Sequence, residues 1–471
     1  MSTKLYNPNY DVVIIGAGPG GYVCAIRASQ LGKKTAIIDK EWLGGVCLNV
    51  GCIPSKTILK NAEVVNNIRN NSKQLGISFD NLQIDYSAAV NKSRKVSKRL
   101  TKGIEHLLKK NKVDFIKGKA QIVSNNSIVI KLPTGDTKQI SASDIVIATG
   151  ARPKLPSQFN VDEKQIISYQ TAILQKDCPK SVAIIGGGAI GVEFATIWNS
   201  YGSQVSIIET MNDILPKEDE DISKELNKSL TKSGIKIYTN STVKDVNCTN
   251  GKIALSILTT NDLKSINVDQ VLIAIGFTPN IEGLNLSKVG VEFDSNNFIR
   301  INDNMSTNVK NIYAIGDVTG KLLLAHVASA QGIIAAETIS QHPTTSLNYK
   351  MLPKATYCNP EVASFGYTEN EAVEAGYDIK TSKFQFRANG KALSMGAHNG
   401  WVKIISETKT DHILGAHLIG PQVTELLPEL SLAYNLNLTT LDVAQNIHAH
   451  PTLSEAIMET AQGLNNKMIH Q

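Results

Sequence analysis

The sequence has little of what marks membrane-spanning, secreted or disulfide-stabilised proteins. It has no run of about 20 apolar residues, the length that crosses a bilayer. Its six cysteines in 471 residues are too few for a disulfide scaffold. The start of the chain has neither an apolar secretory core nor an arginine-rich transit segment. We therefore expect no membrane association and a cytoplasmic location, or the mitochondrial matrix if a leader has been removed.

The sequence also lacks a strong excess of charge of one sign, since its net charge of +6 is modest for a chain of this length. The lysines are concentrated only at residues 92–112, where no aromatic side chain interleaves with them. We interpret this stretch as the solvated face of a helix and expect no nucleic-acid partner. The composition, 42% hydrophobic and 19% charged, is that of a globular protein, and the length predicts about two to four domains.

One pattern occurs twice: an apolar strand, a glycine-rich turn, a helix and a second strand ending in a carboxylate. The copies run from Val12 to Asp39 and from Val182 to Glu209. In both, the carboxylate lies 23 residues after the first glycine, from 16 to 39 and from 186 to 209. A lone Gly-x-Gly-x-x-Gly would be weak, but its place between a strand and a helix in both copies predicts two dinucleotide-binding units.

Each glycine of these turns has its own task. The first makes the tight turn, the second lets the backbone approach a pyrophosphate, and the third lets the helix pack on the strand. The helix N-terminus offers N–H groups to the phosphates. The glycines that we assign to cofactor binding are Gly16, Gly18, Gly21, Gly186, Gly188 and Gly191.

The carboxylates that end the two units, Asp39 and Glu209, are expected to accept hydrogen bonds from ribose hydroxyls. Glu209 would repel a 2′-phosphate, which favours NAD over NADP at the second unit. Two such units suggest two dinucleotides that exchange electrons, and FAD and NAD are the obvious pair. The glycine patterns alone do not assign either cofactor to either unit.

Two cysteines, Cys47 and Cys52, follow the first unit in the segment GGVCLNVGCIPSK, residues 44–56. No second Cys/His pair follows at zinc-finger spacing, so we expect no metal. Pro54 suits the first turn of a helix, and a helix N-terminus favours a thiolate. One distorted turn is enough to bring the two sulfurs within bonding reach. We predict a redox-active pair rather than two structural thiols.

This segment resembles the redox-disulfide segment of the pyridine nucleotide–disulfide oxidoreductase family, most closely that of its dihydrolipoyl dehydrogenases. Residues 144–150 (DIVIATG), 273–276 (IAIG) and 311–318 (NIYAIGDV) also resemble family segments, so the similarity covers the whole chain. It implies an α/β fold with two Rossmann-like dinucleotide-binding domains and a C-terminal α+β dimerisation domain.

The resemblance also implies domain boundaries. We expect an FAD-binding domain at residues 1–150 and an NAD-binding domain at 151–278. A central segment, 279–350, would complete the FAD domain, and 351–471 would form the C-terminal interface domain.

The resemblance places FAD on the first unit and NAD on the second. It implies that Cys52 sits against the flavin and that Cys47 exchanges with a dithiol substrate. Lys56 and Glu193 resemble an ion pair beside flavin N5, and Asp317 resembles the aspartate that holds the ribityl chain. The other positions at which we expect cofactor contacts are Gly118, Thr149, Gly150, Ile190, Gly276, Leu323, Leu324, Ala325 and His326.

Residues 447–455, IHAHPTLSE, resemble the His-x-His-Pro-Thr-x-x-Glu signature of the same family. Thiol–disulfide exchange needs a group that takes a proton from the incoming dithiol, and histidine suits this near neutral pH. The resemblance assigns this role to His450 and an orienting role to Glu455, and we leave His448 outside the catalytic set. It also implies an obligate homodimer, because in the family the C-terminal domain completes the partner subunit's active site.

The implied reaction is the oxidation of dihydrolipoyl groups to lipoyl with NAD⁺. The groups would be carried on an acyltransferase or on a glycine-cleavage carrier protein. The alternatives are an NAD(P)H-dependent disulfide or metal-ion reductase of the glutathione or mercuric type, a flavin transhydrogenase without a disulfide, and a non-enzymatic nucleotide-binding scaffold.

Each alternative has an observation against it. Mercuric reductases end with an extra cysteine pair that residues 465–471 lack. Glutathione-type enzymes usually prefer NADP, which Glu209 disfavours. Cys47 and Cys52 argue against a transhydrogenase and, with His450 and Glu455, against a scaffold. Two departures from the family pattern stand out: Asp39 lies where glutamate is more usual, and residues 322–324 are leucines where many relatives carry proline or methionine before Ala-His.

Overall fold

The computed structural model describes residues 9–249 and 251–470. The chain forms two compact units, each built from three segments. The first comprises Met1–Thr57, Ala88–Lys154 and Gly276–Tyr349. The second comprises Ile58–Ser87, Leu155–Ile275 and Lys350–Gln471.

The helices range from single turns to the 25-residue helix α4. In chain order they are α1 Pro19–Gln30, α2 Gly45–Val50, α3 Cys52–Asn71, α4 Tyr86–Lys110, α5 Tyr169–Ala172, α6 Ala189–Ser200, α7 Glu220–Lys232, α8 Ala325–Ile339, α9 Glu369–Glu374, α10 Gly390–Ser394, α11 Val423–Asn435, α12 Thr440–Gln445 and α13 Glu455–Leu464. Short 3₁₀ turns lie at Ser157–Phe159, Leu286–Val289, Gly316–Thr319, Tyr349–Met351 and Phe386–Ala388.

The strands are short, as is usual in globular proteins. In chain order they are β1 Tyr10–Ile15, β2 Thr35–Asp39, β3 Asp114–Lys117, β4 Lys119–Ser124, β5 Ser127–Lys131, β6 Thr137–Ile147, β7 Ala151–Pro153, β8 Ile166–Ser168, β9 Ser181–Ile185, β10 Gln204–Ile208, β11 Lys236–Tyr238, β12 Thr242–Thr249, β13 Lys252–Leu258, β14 Leu263–Val268, β15 Gln270–Ile273, β16 Phe277–Pro279, β17 Ile312–Ala314, β18 Lys354–Thr356, β19 Glu361–Gly366, β20 Ile379–Gln385, β21 Trp401–Glu407 and β22 Ile413–Gly420.

The first unit is built on one sheet whose strands run in the order β3-β2-β1-β6. These strands pair in parallel, and β17 pairs in parallel with the end of β6. The first half of β6 pairs antiparallel with β5, which continues to β4. The run from Val12 to Ile15 is buried on both faces, as expected for a central parallel strand. The sheet therefore holds the turn after β1 at its carboxyl edge, where nucleotides bind in such folds.

The second unit contains a second parallel sheet, in the order β11-β10-β9-β15-β8, and an antiparallel sheet β12-β13-β14. Its C-terminal part is an antiparallel sheet in the order β18-β19-β22-β21-β20. Helices α11 and α13 pack on this sheet through a core that includes Phe365, Leu418, Leu430 and Ile457, all fully buried. The predicted α/β fold, with two Rossmann-like units and a C-terminal α+β domain, is confirmed.

Within residues 9–249 and 251–470, no helix has both the length and the apolar character that crossing a bilayer requires. In the same part of the chain, no group of three or more His, Cys, Asp or Glu side chains is placed to hold a metal ion.

Candidate active site

The two glycine turns have nearly the same geometry. Gly16 and Gly186, the first glycine of each turn, both have φ of +110°, which favours glycine. A Cβ at either position would overlap a carbonyl oxygen of the neighbouring strand end, at Ala148 or at Ala274. The third glycines face the turn itself, because a Cβ on Gly191 would overlap the carbonyl oxygen of Gly186. The first and third glycines are therefore required by the fold.

The second glycines differ, because the protein leaves open space beside them. A Cβ built on Gly188 has no protein atom within 4 Å, and one on Gly18 meets only the Cα of Gly45, at 3.9 Å. Both residues precede the first turn of a 12-residue helix, α1 or α6. The open side of each turn and the N–H groups of the helix fit the pyrophosphate of a dinucleotide.

The carboxylate that ends each unit reaches back to its own glycine turn. The Ala17 amide donates to Oδ2 of Asp39 at 2.7 Å, and the Gly187 amide donates to Oε2 of Glu209 at the same distance. The shorter Asp39 side chain thus reaches the turn as closely as Glu209 does. This role of fixing the turn was not predicted from the sequence. The predicted bonds to ribose remain a prediction.

The two cysteines lie in the first unit, on the consecutive helices α2 and α3. Cys47 belongs to the short helix α2, and Cys52 is the first residue of the 20-residue helix α3. The break between the helices is at Gly51, whose φ of −137° and ψ of −117° end α2. Both residues are half-buried thiols in the structure. The sharp turn at Gly51 brings the Cys47 side chain within hydrogen-bonding distance of Cys52.

The reduced pair is electrostatically asymmetric. The pKa of the Cys47 thiol is raised well above its ordinary value, first by its hydrogen bond with Cys52 and then by burial. Lys56, one turn further along α3, acts in the opposite direction. Cys52 lies at the positive end of the α3 dipole, which favours a thiolate. Of the two positions, Cys52 at the start of α3 is therefore the one that favours a thiolate.

Asp317 lies in the 3₁₀ turn after β17. Burial raises the pKa of this carboxyl to about 6. A desolvated carboxylate is stabilised by hydroxyl donors, so the position fits the ribityl chain of a flavin. Together with the open turn at Gly18 and the dithiol of the same unit, it fits FAD as the cofactor of this unit.

Glu193 is buried in α6, with 6% of its surface exposed. The Tyr357 amide donates to its Oε1 at 3.0 Å. Lys56 lies one turn after Cys52 on α3, and its charge acts to lower the pKa of Cys47. The ion pair between Lys56 and Glu193 remains a prediction.

His450 and Glu455 are brought together as predicted. Nδ1 of His450 lies 2.8 Å from Oε1 of Glu455, and the Thr452 amide donates to the other carboxylate oxygen at 2.7 Å. Burial opposes ionisation of Glu455, but the Thr452 amide and His450 together lower the pKa of this carboxyl. The imidazole is 78% exposed, so it can reach a second molecule. The catalytic role of the pair remains a prediction.

His448 forms a similar pair that the sequence did not predict. Its Nε2 lies 2.8 Å from Oε1 of Glu429, on α11, and its Nδ1 lies 2.9 Å from the Asn446 carbonyl oxygen. The hydrogen bond with Glu429 is the main cause of a raised pKa of His448. The 19-residue separation and the lack of a local motif hide this pair from sequence reasoning.

The remaining predicted positions lie at strand and helix ends. The Gly118 amide donates to the Asp39 carbonyl oxygen at 2.9 Å, next to the first glycine turn. The Thr149 hydroxyl donates to the Asn280 carbonyl oxygen at 2.7 Å, and the Asn280 amide donates to Gly150 at 2.9 Å. Residues 323–326 lead into α8, Ile190 lies in the first turn of α6, and Gly276 has φ of +107°. Their contacts with cofactors remain predictions.

The sequence matches a known protein family over most of its length. The family described as "Pyridine nucleotide-disulphide oxidoreductase" matches residues 10–332, and the dimerisation domain of the same family matches residues 352–461. The chain belongs to this family. Membership implies an oxidoreductase that uses FAD and NAD as cofactors.

Among curated proteins, the similar relatives are dihydrolipoyl dehydrogenases. The one from Mycobacterium leprae is 44% identical over 466 residues, covering 98% of this chain and 99% of the relative. The one from Bacillus subtilis is 40% identical over 471 residues, again covering 98% and 99%. The predicted resemblance to this group is confirmed.

Solved structures agree on the fold. LpdA from Mycobacterium tuberculosis is similar with a TM-score of 0.90 and 25% identity, covering 96% of this chain and 99% of that one. RclA from Escherichia coli, a HOCl-induced flavoprotein disulfide reductase, is similar with a TM-score of 0.85 and 26% identity, covering 96% and 99%.

Proposed function

We propose that the protein oxidises dihydrolipoyl groups to lipoyl groups and reduces NAD⁺. The observation that carries this proposal is the close contact between Cys47, on α2, and Cys52, at the start of α3, in the unit that also holds the first glycine turn. High identity to dihydrolipoyl dehydrogenases over the full chain supports the same substrate. No comparable observation favours a glutathione-type or mercuric-type reductase.

In the proposed reaction, one thiolate of the substrate attacks the Cys47–Cys52 disulfide at Cys47 and forms a mixed disulfide. The second substrate thiol displaces Cys47, which leaves a lipoyl disulfide and two reduced enzyme cysteines. Two electrons pass from the substrate to the cysteine pair. FAD, when bound, accepts this electron pair and supplies a hydride to NAD⁺.

His450 would take a proton from the incoming dithiol, and Glu455 would hold the imidazole in position. Its Nδ1 faces Glu455, so Nε2 is the nitrogen that meets the substrate. Asp39 and Glu209 would contact ribose hydroxyls, and Gly18 and Gly188 would face pyrophosphates. Lys56, Glu193 and the other predicted cofactor positions keep the roles that the family resemblance implies.

We also propose that the enzyme is a homodimer, in which His450 serves the cysteine pair of the partner subunit. The dimerisation domain at residues 352–461 supports this assembly. The dihydrolipoyl group would be carried on an acyltransferase or on a glycine-cleavage carrier protein. The proposed domains are those predicted at 1–150, 151–278, 279–350 and 351–471, and the proposed location is cytoplasmic, in keeping with bacterial relatives.

The test is a reduction assay with the purified holoenzyme. Dihydrolipoamide and NAD⁺ should yield NADH, and NADP⁺ should be a poor acceptor, because Glu209 repels a 2′-phosphate. Oxidised glutathione and mercuric ion with NADH or NADPH are the competing substrate pairs. Faster turnover of either pair than of dihydrolipoamide would contradict the proposal.

A further inference from the structure

The exposed face of α4 carries a continuous row of basic side chains, which we call the basic row. Its members are Lys92, Lys95, Lys98, Arg99, Lys102, His106, Lys109 and Lys110, and all are exposed. Successive members can be followed at alternating spacings of three and four residues from 92 to 109. At 3.6 residues per turn this spacing keeps them on one side of the helix, over a length of about 25 Å.

The sequence of α4 itself offers little negative charge to balance the basic row. Within residues 86–110 the sequence has a single acid, Glu105, which pairs with Lys109 at 2.9 Å. Helix α7 is different, because there Glu220 pairs with Lys224 one turn away. Like charges three and four residues apart destabilise a helix. The basic row therefore needs an explanation other than the stability of α4.

The opposite face of α4 packs against the redox segment. Ile104 and Leu108 are buried in the same core as Leu48 of α2. Arg94 donates a hydrogen bond to the carbonyl oxygen of Asn49, which lies between the two cysteines in the sequence. The basic row is thus about one helix diameter, roughly 10 Å, from the segment that carries the dithiol.

We propose that the basic row attracts and holds an acidic surface of the carrier domain that delivers the dihydrolipoyl group. This inference rests on the proposed function. A row of cations accelerates the encounter with an oppositely charged partner and orients it before contact. The charges lie on the exposed side of α4, and the other side of α4 packs against the segment that contains Cys47. They can therefore attract a carrier that docks beside the cysteines.

A nucleic acid fits the basic row less well. Single-stranded binding usually adds aromatic side chains on which bases stack. Residues 87–112 contain no Phe, Tyr or Trp, and Tyr86 is buried. Glu105 would also face the phosphates of a strand that followed the row.

The test compares two charge-reversal variants of the holoenzyme. The first is Lys95→Glu/Arg99→Glu/Lys102→Glu in the basic row. The matched control, Lys224→Glu/Lys228→Glu/Lys232→Glu, reverses three exposed charges on α7. Each is assayed with free dihydrolipoamide, which is uncharged, and with a reduced lipoylated domain of net negative charge.

For the first variant we expect kcat/KM with the lipoylated domain to fall about tenfold at low ionic strength. The difference in kcat/KM between this variant and the unaltered enzyme should disappear as the salt concentration approaches about 0.5 M, because salt screens exposed charges. Turnover of free dihydrolipoamide should stay within twofold of the unaltered enzyme in both variants. A fall of the same size in the α7 variant, or none in the α4 variant, would overturn the proposal.

A second arm leaves the enzyme unaltered, so it does not depend on how well the variant folds. In it, the clustered Asp and Glu of the lipoylated domain are changed to Asn and Gln, and kcat/KM should fall and lose its salt dependence. Failure to oxidise free dihydrolipoamide would instead contradict the proposed function itself. Loss of duplex RNA binding at about 0.15 M salt in the α4 variant, with unchanged carrier turnover, would reassign the basic row to nucleic acid.

Discussion

Nδ1 of His450 lies 2.8 Å from Oε1 of Glu455, the first residue of α13. This contact fixes which ring nitrogen faces the carboxylate, and in the proposed reaction the other nitrogen meets the substrate thiol. We expect His450→Gln to lower kcat/KM for dihydrolipoamide by about 10²- to 10⁴-fold, because the variant lacks the base. NADH oxidation by an artificial acceptor should be nearly unchanged, because it needs no base for a dithiol.

The pair at His448 and Glu429 gives a matched control, because its atoms are also 2.8 Å apart. We expect Glu455→Gln to slow dithiol oxidation by at least about tenfold and Glu429→Gln to change it by less than about threefold. Equal losses in the dithiol and artificial-acceptor assays of His450→Gln would remove the residue from its proposed role.

The two later glycines of the second turn should separate binding from folding. Gly188→Ala adds a methyl group where no protein atom lies within 4 Å, and φ of −74° suits alanine. We expect near-normal stability but a KM for NAD⁺ raised by about tenfold or more, since the methyl group takes space meant for the pyrophosphate. Steady-state kinetics and thermal unfolding measure the two effects.

Gly191→Ala is the contrasting change, because its methyl group would overlap the Gly186 carbonyl oxygen. It should cost about 1–3 kcal/mol of stability or more, as overpacking does. A Gly188→Ala variant with unchanged affinity for NAD⁺ would show that the second turn does not hold the pyrophosphate.

Sequence patterns predicted the parts of the site that are built from neighbouring residues. The glycine turns repeat a strand, a turn and a helix within about 30 residues, and His450 and Glu455 are five residues apart. The helical shape of α2 was not predicted, because its six residues are too few to show a helical period. Even so, the proximity of Cys47 and Cys52 follows from their spacing and from the bend at Gly51.

Contacts between distant and isolated residues could not be predicted in this way. The hydrogen bond from Arg94 to Asn49 joins residues 45 apart, and the ion pair of Lys403 with Asp219 joins residues 184 apart. Neither belongs to a repeating pattern, and a single buried lysine looks like any other lysine in the sequence. These contacts depend on the tertiary structure of the whole chain, and no local sequence pattern reveals them.

The order of charge in the reduced cysteine pair gives a spectroscopic prediction. Because the helix dipole favours a thiolate on Cys52, at the start of α3, mild reduction of the holoenzyme should produce a long-wavelength charge-transfer absorbance between this thiolate and the flavin. Cys52→Ser should abolish this band, whereas Cys47→Ser should retain it. A band that persists in Cys52→Ser would contradict the assignment of the thiolate to that residue.

Lys403 forms a buried ion pair in the second unit, so we predict that replacing it lowers the stability of the fold. It is 3% exposed, and its Nζ lies 3.0 Å from Oδ1 of Asp219, which is 2% exposed. Nζ also lies 3.0 Å from Asp221 and 2.6 Å from Glu369. Lys403→Met would leave Asp219 buried without a cation, so we expect a loss of about 3–5 kcal/mol, measured by urea unfolding.

The same cluster determines how the stability of the fold changes with pH. Burial opposes ionisation of Asp221, but hydrogen bonds from Lys383 and Lys403 lower its pKa to about 2. A carboxyl whose pKa is lower in the folded state stabilises the fold above its unfolded pKa of about 3.9, and the effect is lost as the pH falls towards 2. Asp221→Asn should therefore flatten the fall in stability between about pH 4 and pH 2. The free energy of unfolding is measured by urea unfolding at each pH. If it falls as steeply between about pH 4 and pH 2 in Asp221→Asn as in the unaltered protein, Asp221 titrates alike in the folded and unfolded chains.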